Sequence, residues 1–291
     1  MFLNICRGTI TILVILFSPL FVYACTLWGA SGNYTIHGGT LIIKNRDWRP
    51  DHRQVLRLIK PKEGLRYFGL FAEDGSNPGL KAGLNEKGLV IISAAVDSLP
   101  LPIKKTVHQK RGIMAHLLRE CTSVDEALMH KDYFSGAVFY LLADSGKIAS
   151  LEIGPEGHYA ANTTVNGVIY HTNHYLQKEM IPFNYRIPPG SHRRLERIAQ
   201  LLKETPPPYS LQDFLKFSMD QHDGPDQSIF RRGSKPNKPR TLSTWAVEIP
   251  PKGDPYLYVR ILNPGEEERV FRKTASEIFS DRYLPTTGTN Q

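Results

Sequence analysis

The stretch Val22-Tyr23-Ala24-Cys25-Thr26 constrains this chain more than any other, because a greasy leader stops there and a cysteine follows. Residues 1–24 carry one positive charge, Arg7, and no acid. An apolar run at 10–17 and the small-residue pattern Val22-x-Ala24 complete the features of a cleaved secretory signal. Ser18-Pro19 interrupts the apolar run and leaves it short for a membrane span. A cut after Ala24 would give Cys25 both a thiol and a free α-amine. Those are the two groups a terminal nucleophile needs, since the amine serves as base for its own side chain. Three other readings stay open: an uncleaved anchor, a cysteine that is an ordinary core residue of a first strand, and lipoprotein processing. The last would acylate the Cys25 amine, and bulky Tyr23 fits that pathway poorly.

The part from Cys25 onward is long enough for one large domain or two small ones with a sizeable core. No repeat, low-complexity tract or linker divides it, so the expected organisation is a signal peptide at 1–24 and one domain at 25–291, located in the periplasm or secreted. The formal charge of +8 is spread over 46–57, 104–111, 193–197 and 231–240. A dispersed excess of this kind is a solvated surface rather than a nucleic-acid footprint, and no zinc-finger or RNA-binding pattern argues otherwise. No nucleic-acid partner and no stable membrane insertion after cleavage are expected; a homo-oligomer remains open. Of Cys6, Cys25 and Cys121, the first leaves with the leader. The remaining pair could form a disulfide in an oxidising compartment, which would consume the nucleophile. With so few cysteines and no paired histidine spacing, neither metal nor cofactor is expected.

Short β-like runs are read at 25–29, 40–45, 55–59 and 66–71, then a turn at 85–88 and a continuously apolar strand at 89–96 that should be covered on both faces. A helix follows at 113–118, and Ser123-x-x-Glu126 reads as a capping box opening another at 127–129. Runs at 137–143 and 148–153 flank a turn at 144–147 and read as a hairpin. A strand at 168–172 ends at Asn173-His174; helices are read at 191–203, capped by Ser191, and at 210–219. Residues 221–240 read as a loop, 241–249 and 256–262 as a last strand pair, and the tail after Phe279 as loose. Strands, helices and strands again imply an α+β sandwich.

Within that order, several side chains could carry chemistry. Asp47, at the end of a strand expected to pair with the one starting at Cys25, could hold the ammonium form of the terminal amine. It could equally belong to a solvated strand end with Lys44, Arg46 and Arg49. Asn173 could aim an amide N–H at a developing oxyanion or simply end a strand, and His174 could be a structural histidine. Arg194 and Arg197 share a helix face, and one could pair with Asp47 or a substrate carboxylate.

Taken together, Cys25-Thr26, Asn45-Arg46-Asp47, the Gly-Leu-Asn-Glu-Lys-Gly-Leu stretch at 83–89, Thr172-Asn173-His174 and Ser191-x-x-Arg194 resemble the N-terminal-nucleophile hydrolases that act on linear amides. That group holds the choloylglycine hydrolases, penicillin V acylases and isopenicillin-N acyltransferase-like proteins. Gln221-His222-Asp223-Gly224 and 241–248 resemble late motifs of the acyltransferase branch. The resemblance implies a four-layer αββα sandwich of antiparallel sheets, with Cys25 ending an inner strand as nucleophile and, through its amine, as base. It implies that Asp47 binds that amine, that Asn173 lines the oxyanion hole with support near Ala95, and that Arg194 is the family's helix arginine. Bile-salt hydrolases carry an arginine where this chain has Lys44, and a lysine does not make the same forked contact, which puts bile-salt specificity in question. The implied activity is exported hydrolysis of a small N-acyl amide through a thioester, with acyl transfer to an amine, or a lipid-anchored binding protein, as alternatives.

Overall fold

The computed structural model describes residues 25–73, 77–107 and 110–280. The signal peptide expected at 1–24 and most of the tail expected after Phe279 lie outside the described residues. Thirteen strands are present there: β1 (Cys25–Ser31), β2 (Thr40–Trp48), β3 (Arg53–Ile59), β4 (Tyr67–Glu73), β5 (Gly79–Asn85), β6 (Val90–Ala95), β7 (Val138–Ala143), β8 (Ile148–Ile153), β9 (Tyr159–Thr164), β10 (Gly167–His171), β11 (Arg240–Ile249), β12 (Tyr256–Ile261) and β13 (Arg269–Thr274). They make two sheets, one ordered β10-β1-β2-β11-β12-β13 and the other a meander from β3 to β9. Every pairing in both is antiparallel. The helices are α1 (Leu101–Thr106), α2 (Ile113–Glu120), α3 (Val124–Met129), α4 (Pro189–Glu204), α5 (Leu211–Phe217), the single turn α6 (Gly224–Gln227) and α7 (Ala275–Phe279).

Side-chain alternation along the strands builds the layers. Leu27, Ile42, Trp245 and Val247 of the first sheet meet Phe68, Ile92, Phe139 and Leu141 of the second in the core between them. The opposite faces are covered by helices. Leu117, Leu118, Val124 and Ala127 of α2 and α3 pack on Leu89, Ile91, Leu142 and Leu151. Ile198, Leu202, Phe214 and Phe217 of α4 and α5 pack on Trp28, Leu41, Ile43 and Ala246. The result is the expected α+β architecture, four layers in the order αββα. With helices on one side and the second sheet on the other, all nine residues of β2 are buried, charged ones included.

The motif at 83–89 is structural. A Cβ at Gly83 would lie 2.4 Å from Leu118 Cδ1, so glycine there lets α2 close onto β5. Asn85 Nδ2 donates to the carbonyls of Leu118 and Cys121 at the end of α2, while its Oδ1 accepts from the Lys87 and Leu89 amides of the turn.

Several expectations need correction. Strands β5, β9 and β13 and helices α1 and α7 were not anticipated, and the stretch 221–240, read as a loop, holds the single turn α6. β5 is glycine-rich, β9 is a mostly exposed edge without apolar alternation, and β13 is a charged edge, so none shows a clean period. Ser191 does not cap its helix: α4 starts at Pro189, with proline at a first-turn position that needs no N–H partner. Only half of the box at Ser123 forms, because Glu126 turns instead to the Thr122 amide and hydroxyl. Reciprocal versions sit at Ser210 with Asp213 and at Thr274 with Glu277. Cys25 and Cys121 are both free and buried. They belong to different packing layers, and burial pushes the Cys121 thiol up to about 11.

Candidate active site

Cys25 opens β1 and is only 5% exposed, and it lines a cleft of about 860 Å³ at one end of the sandwich. A cleft of that size is in the range that holds a small organic molecule. In the β1–β2 register Cys25 stands opposite Arg46. Alternation along β2 then puts Lys44, Arg46 and Trp48 on the cleft, while Asn45 and Asp47 fall on the other face of the sheet. Asn45 is consumed by structure there: it donates to the Ser218 and Ile229 carbonyls and accepts from Thr244 Oγ1.

The backbone of Cys25 is clamped at both ends. Its N donates to Asn173 Oδ1 at 2.9 Å, and its carbonyl accepts from Arg194 Nη1 at 2.6 Å. Arg194 also donates to Thr26 Oγ1 at 2.9 Å and to Asn173 Oδ1 at 3.0 Å. A guanidinium only donates, so these bonds fix which end of the Asn173 amide is oxygen. The amide nitrogen donates to the Ala95 carbonyl at 2.8 Å. Ser191, three residues before Arg194 on the same helix face, accepts from the Asn173 backbone N at 2.9 Å and bonds His174 Nδ1 at 2.8 Å. The Ser-x-x-Arg spacing therefore has a plain reason: one turn of α4 grips both the main chain and the side chain of Asn173. His174 is structural, and burial lowers it to about 4.

Asp47 lies one residue beyond the partner of Cys25. Its Oδ1 accepts from Thr241 Oγ1 at 2.7 Å, and its Oδ2 is buried without a partner. Burial raises the carboxyl to about 6, against the pull of Arg231, Arg194, the Thr241 hydroxyl and Arg46. The Cys25 N is bonded to Asn173, not to Asp47. Lys44 reaches across to the second sheet. The β5–β6 pairing runs no further than Ala82 opposite Ile92, and just past that point Lys44 Nζ donates to the carbonyls of Lys81 at 2.8 Å and Ser93 at 2.5 Å. It thus bridges the two strands where their own rungs stop. Burial lowers Lys44 to about 8, with Cys25 and Asp47 opposing that shift and Arg46 adding to it.

The sequence reading assigned no site role to Asp97, Arg231, Arg46 or Lys81. The Asp97 amide donates to the Asn173 carbonyl at 2.8 Å. Its Oδ1 pairs with Lys104 Nζ at 3.1 Å, its Oδ2 has no partner, and burial raises it to about 7. Arg231, buried in the 221–240 stretch, exerts the largest charge effect on Asp47. It is pinned to β11 by reciprocal bonds with Thr241. Only the order of Thr172-Asn173 before Ser191-x-x-Arg194 pointed to this network; Asp97 and Arg231 sit in segments without a motif.

The profile of the acyl-coenzyme A:6-aminopenicillanic acid acyl-transferase family matches residues 35–253. That range holds Lys44, Asp47, Asn173 and Arg194 and begins after Cys25. No curated protein sequence matches the chain. Among solved structures it is similar to a mutant of the conjugated bile acid hydrolase from Clostridium perfringens, with 14% identity, a TM-score of 0.42, and coverage of 92% of this chain and 99% of that one. A second variant of the same hydrolase gives 14% identity, a TM-score of 0.44, and coverage of 91% and 99%. With three quarters of its length inside the family profile, the chain belongs to the acyl-coenzyme A:6-aminopenicillanic acid acyl-transferase family, a branch of the N-terminal-nucleophile hydrolases.

Proposed function

We propose that this protein is an exported amidohydrolase that cleaves the C–N bond of small N-acyl compounds through a thioester on Cys25, once residues 1–24 have been removed. The observation that carries the reading is the double clamp on Cys25, whose N is held by Asn173 and whose carbonyl is held by Arg194, while the residue itself borders the cleft. A nucleophile that must also be a chain end needs such anchoring on both sides of its α-carbon.

In the trimmed protein the α-amine, with a pKa of about 7.7–8.0 for an ordinary terminus, takes the thiol proton. The sulfur attacks the amide carbonyl carbon and the carbonyl π pair moves onto oxygen. Asn173 Nδ2 uses one hydrogen on the Ala95 carbonyl, leaving the other for that oxyanion. The C–N bond then breaks, the ammonium returns its proton to the departing amine, and water, activated by the same amine, hydrolyses the thioester. Asp47, ionised above about pH 6, offers its unpartnered Oδ2 to the ammonium. Arg194 is a positioning residue: it touches Cys25, Thr26 and Asn173 from the helix side and does not line the cleft.

The family profile favours a second reading, acyl transfer to an amine instead of to water. Intact mass of the exported protein, before and after exposure to an N-acyl amide, tests the first. A chain starting at Cys25 that gains the mass of the acyl group, with no gain in Cys25→Ala, supports it. A different start, a lipidated Cys25, or equal acylation of Cys25→Ala overturns it. Adding an amine acceptor and measuring new amide against free acid separates hydrolase from transferase.

A further inference from the structure

A second, smaller cavity of about 220 Å³ lies between one side of α5 and the strands β12 and β13, and it shares no lining residue with the Cys25 cleft. Strand alternation puts Tyr256, Tyr258 and Arg260 of β12 on its wall, and Arg272 of β13 stands opposite Tyr258. Gln212 of α5 adds an amide, and no carboxylate lines the space. Arg260 is 7% exposed and makes no ion pair among the described residues. Its Nη2 donates to Thr244 Oγ1 at 3.1 Å, its Nη1 meets the Met219 thioether, a weak acceptor, and its Nε has no partner. Thr244 passes its own proton to Asn45 Oδ1 at 2.9 Å, and Asn45 is locked on the Ser218 and Ile229 carbonyls. The guanidinium is thus held in place yet short of acceptors. The end of α5 does not supply them. Its last carbonyls, from Phe214 to Phe217, already accept from Ser218 N, Ser218 Oγ, Met219 N and Asp220 N. The Phe230 ring packs 5.1 Å from the guanidinium, which supports a cation but fills no N–H. The one carboxylate whose charge opposes the effect of burial on Arg260 is Glu268, exposed on the β12–β13 connection. Arg272 is exposed and stacks 5.3 Å from the Tyr258 ring, with no hydrogen bond or ion pair among the described residues.

A buried cation without a counter-charge is costly, and one that lines a cavity invites an anion into it. We propose that this cavity binds a phosphate group, carried by free phosphate or by a small phosphate monoester, with Arg260 as its inner charge and Arg272 as its outer one. The claim does not depend on the catalytic reading of Cys25. Two guanidiniums bring two positive charges, and a phosphate at neutral pH answers them with about 1.5–2 negative ones. A carboxylate would leave one cation over. Guanidinium N–H groups form short, charge-assisted bonds to phosphate oxygens, and the two tyrosine hydroxyls and the Gln212 amide can donate to the oxygens that remain. Met219 is 39% exposed and unbranched, so its thioether can swing off Arg260 Nη1 as an anion arrives. Leu211 and Leu215 then offer an apolar side on which the ester group of a monoester can rest.

The test is calorimetric titration of the protein with inorganic phosphate, ethyl phosphate and acetate at constant ionic strength. Phosphate is expected to bind with a Kd below about 1 mM, and acetate at least about tenfold more weakly. Arg272→Gln should weaken phosphate binding at least about tenfold and Tyr258→Phe about threefold, each with the circular-dichroism spectrum of the parent. Both changes are mild for the fold, since one is made at an exposed side chain and the other removes a single oxygen. Lys81→Gln, in the wall of the Cys25 cleft, should leave phosphate affinity as it was. Tighter binding of ethyl phosphate than of phosphate assigns a monoester, and equal or weaker binding assigns the free ion. No binding of either phosphate at about 10 mM, acetate bound as tightly as phosphate, an affinity untouched by Arg272→Gln, or one lost in Lys81→Gln instead overturns the site.

Discussion

Strands β2 and β6 lie in opposite sheets and begin alike, with Leu41, Ile42 and Ile43 in one and Val90, Ile91 and Ile92 in the other, all fully buried. They then part. β2 continues Lys44-Asn45-Arg46-Asp47, and β6 continues Ser93-Ala94-Ala95. Where one strand becomes charged, the facing one becomes small, and the cleft opens at that point, lined by Lys44 and Arg46 on one side and Ser93, Ala94 and Ala95 on the other. The apolar halves hold the sheets together by burial. The polar half of β2 instead leaves Arg46 Nε, Arg46 Nη1 and Asp47 Oδ2 buried without a hydrogen-bond partner. Packing does not need them, so that half of the strand is where function should be sought.

The contrast can be broken experimentally. The largest effect is expected at the end of the cleft: Cys25→Ala should abolish acyl-enzyme formation altogether while leaving the unfolding midpoint close to that of the parent, read by mass spectrometry and urea denaturation. Next, in the apolar half, Ile92→Ala should cost about 2–5 kcal/mol of stability, with kcat/KM per folded molecule within threefold. A large activity loss there would erase the division of labour between the halves. In the polar half, Lys44→Met should cost about 1–3 kcal/mol by stranding the Ser93 carbonyl and leaving the Lys81 carbonyl with only the Ser93 hydroxyl, and a stabilised variant would show that the bridge is dispensable. The smallest effect concerns pH. Asp47 is raised to about 6 in the folded chain against an ordinary value of about 3.9. Between these values the folded state binds more protons than the unfolded one. Its contribution is thus full below about pH 4 and lost as pH rises through 6. Asp47→Asn should flatten that part of the stability profile measured from pH 4 to 7, and Asp97, raised to about 7, should leave a residual slope of the same sign.

Much of this was legible in the sequence, and the reasons differ from place to place. The hairpin at 137–153 and the strand at 89–96 showed because their apolar runs are long and bounded by turn residues. The edges β9 and β13 were hidden because an edge needs only one neighbour and can be polar throughout. Asn173 and Arg194 could be proposed from the ordered motifs, but not the way one turn of α4 grips the asparagine twice. That grip depends on Ser191 facing inward, which its reading as a cap obscured. Arg46 was visible as a charge and invisible as a site, since strand alternation decides which neighbour faces the cleft only after both faces of the sheet are known to be covered.

If the cut after Ala24 proposed above is made, the two bonds that hold the main chain of Cys25 would anchor a chain end. Chain ends are ordinarily the frayed places where exopeptidases begin. Here the first residue would be among the most firmly seated in the molecule, tucked under α4 with its carbonyl in the grasp of a buried guanidinium. An aminopeptidase would then find no loose strand to thread at that end.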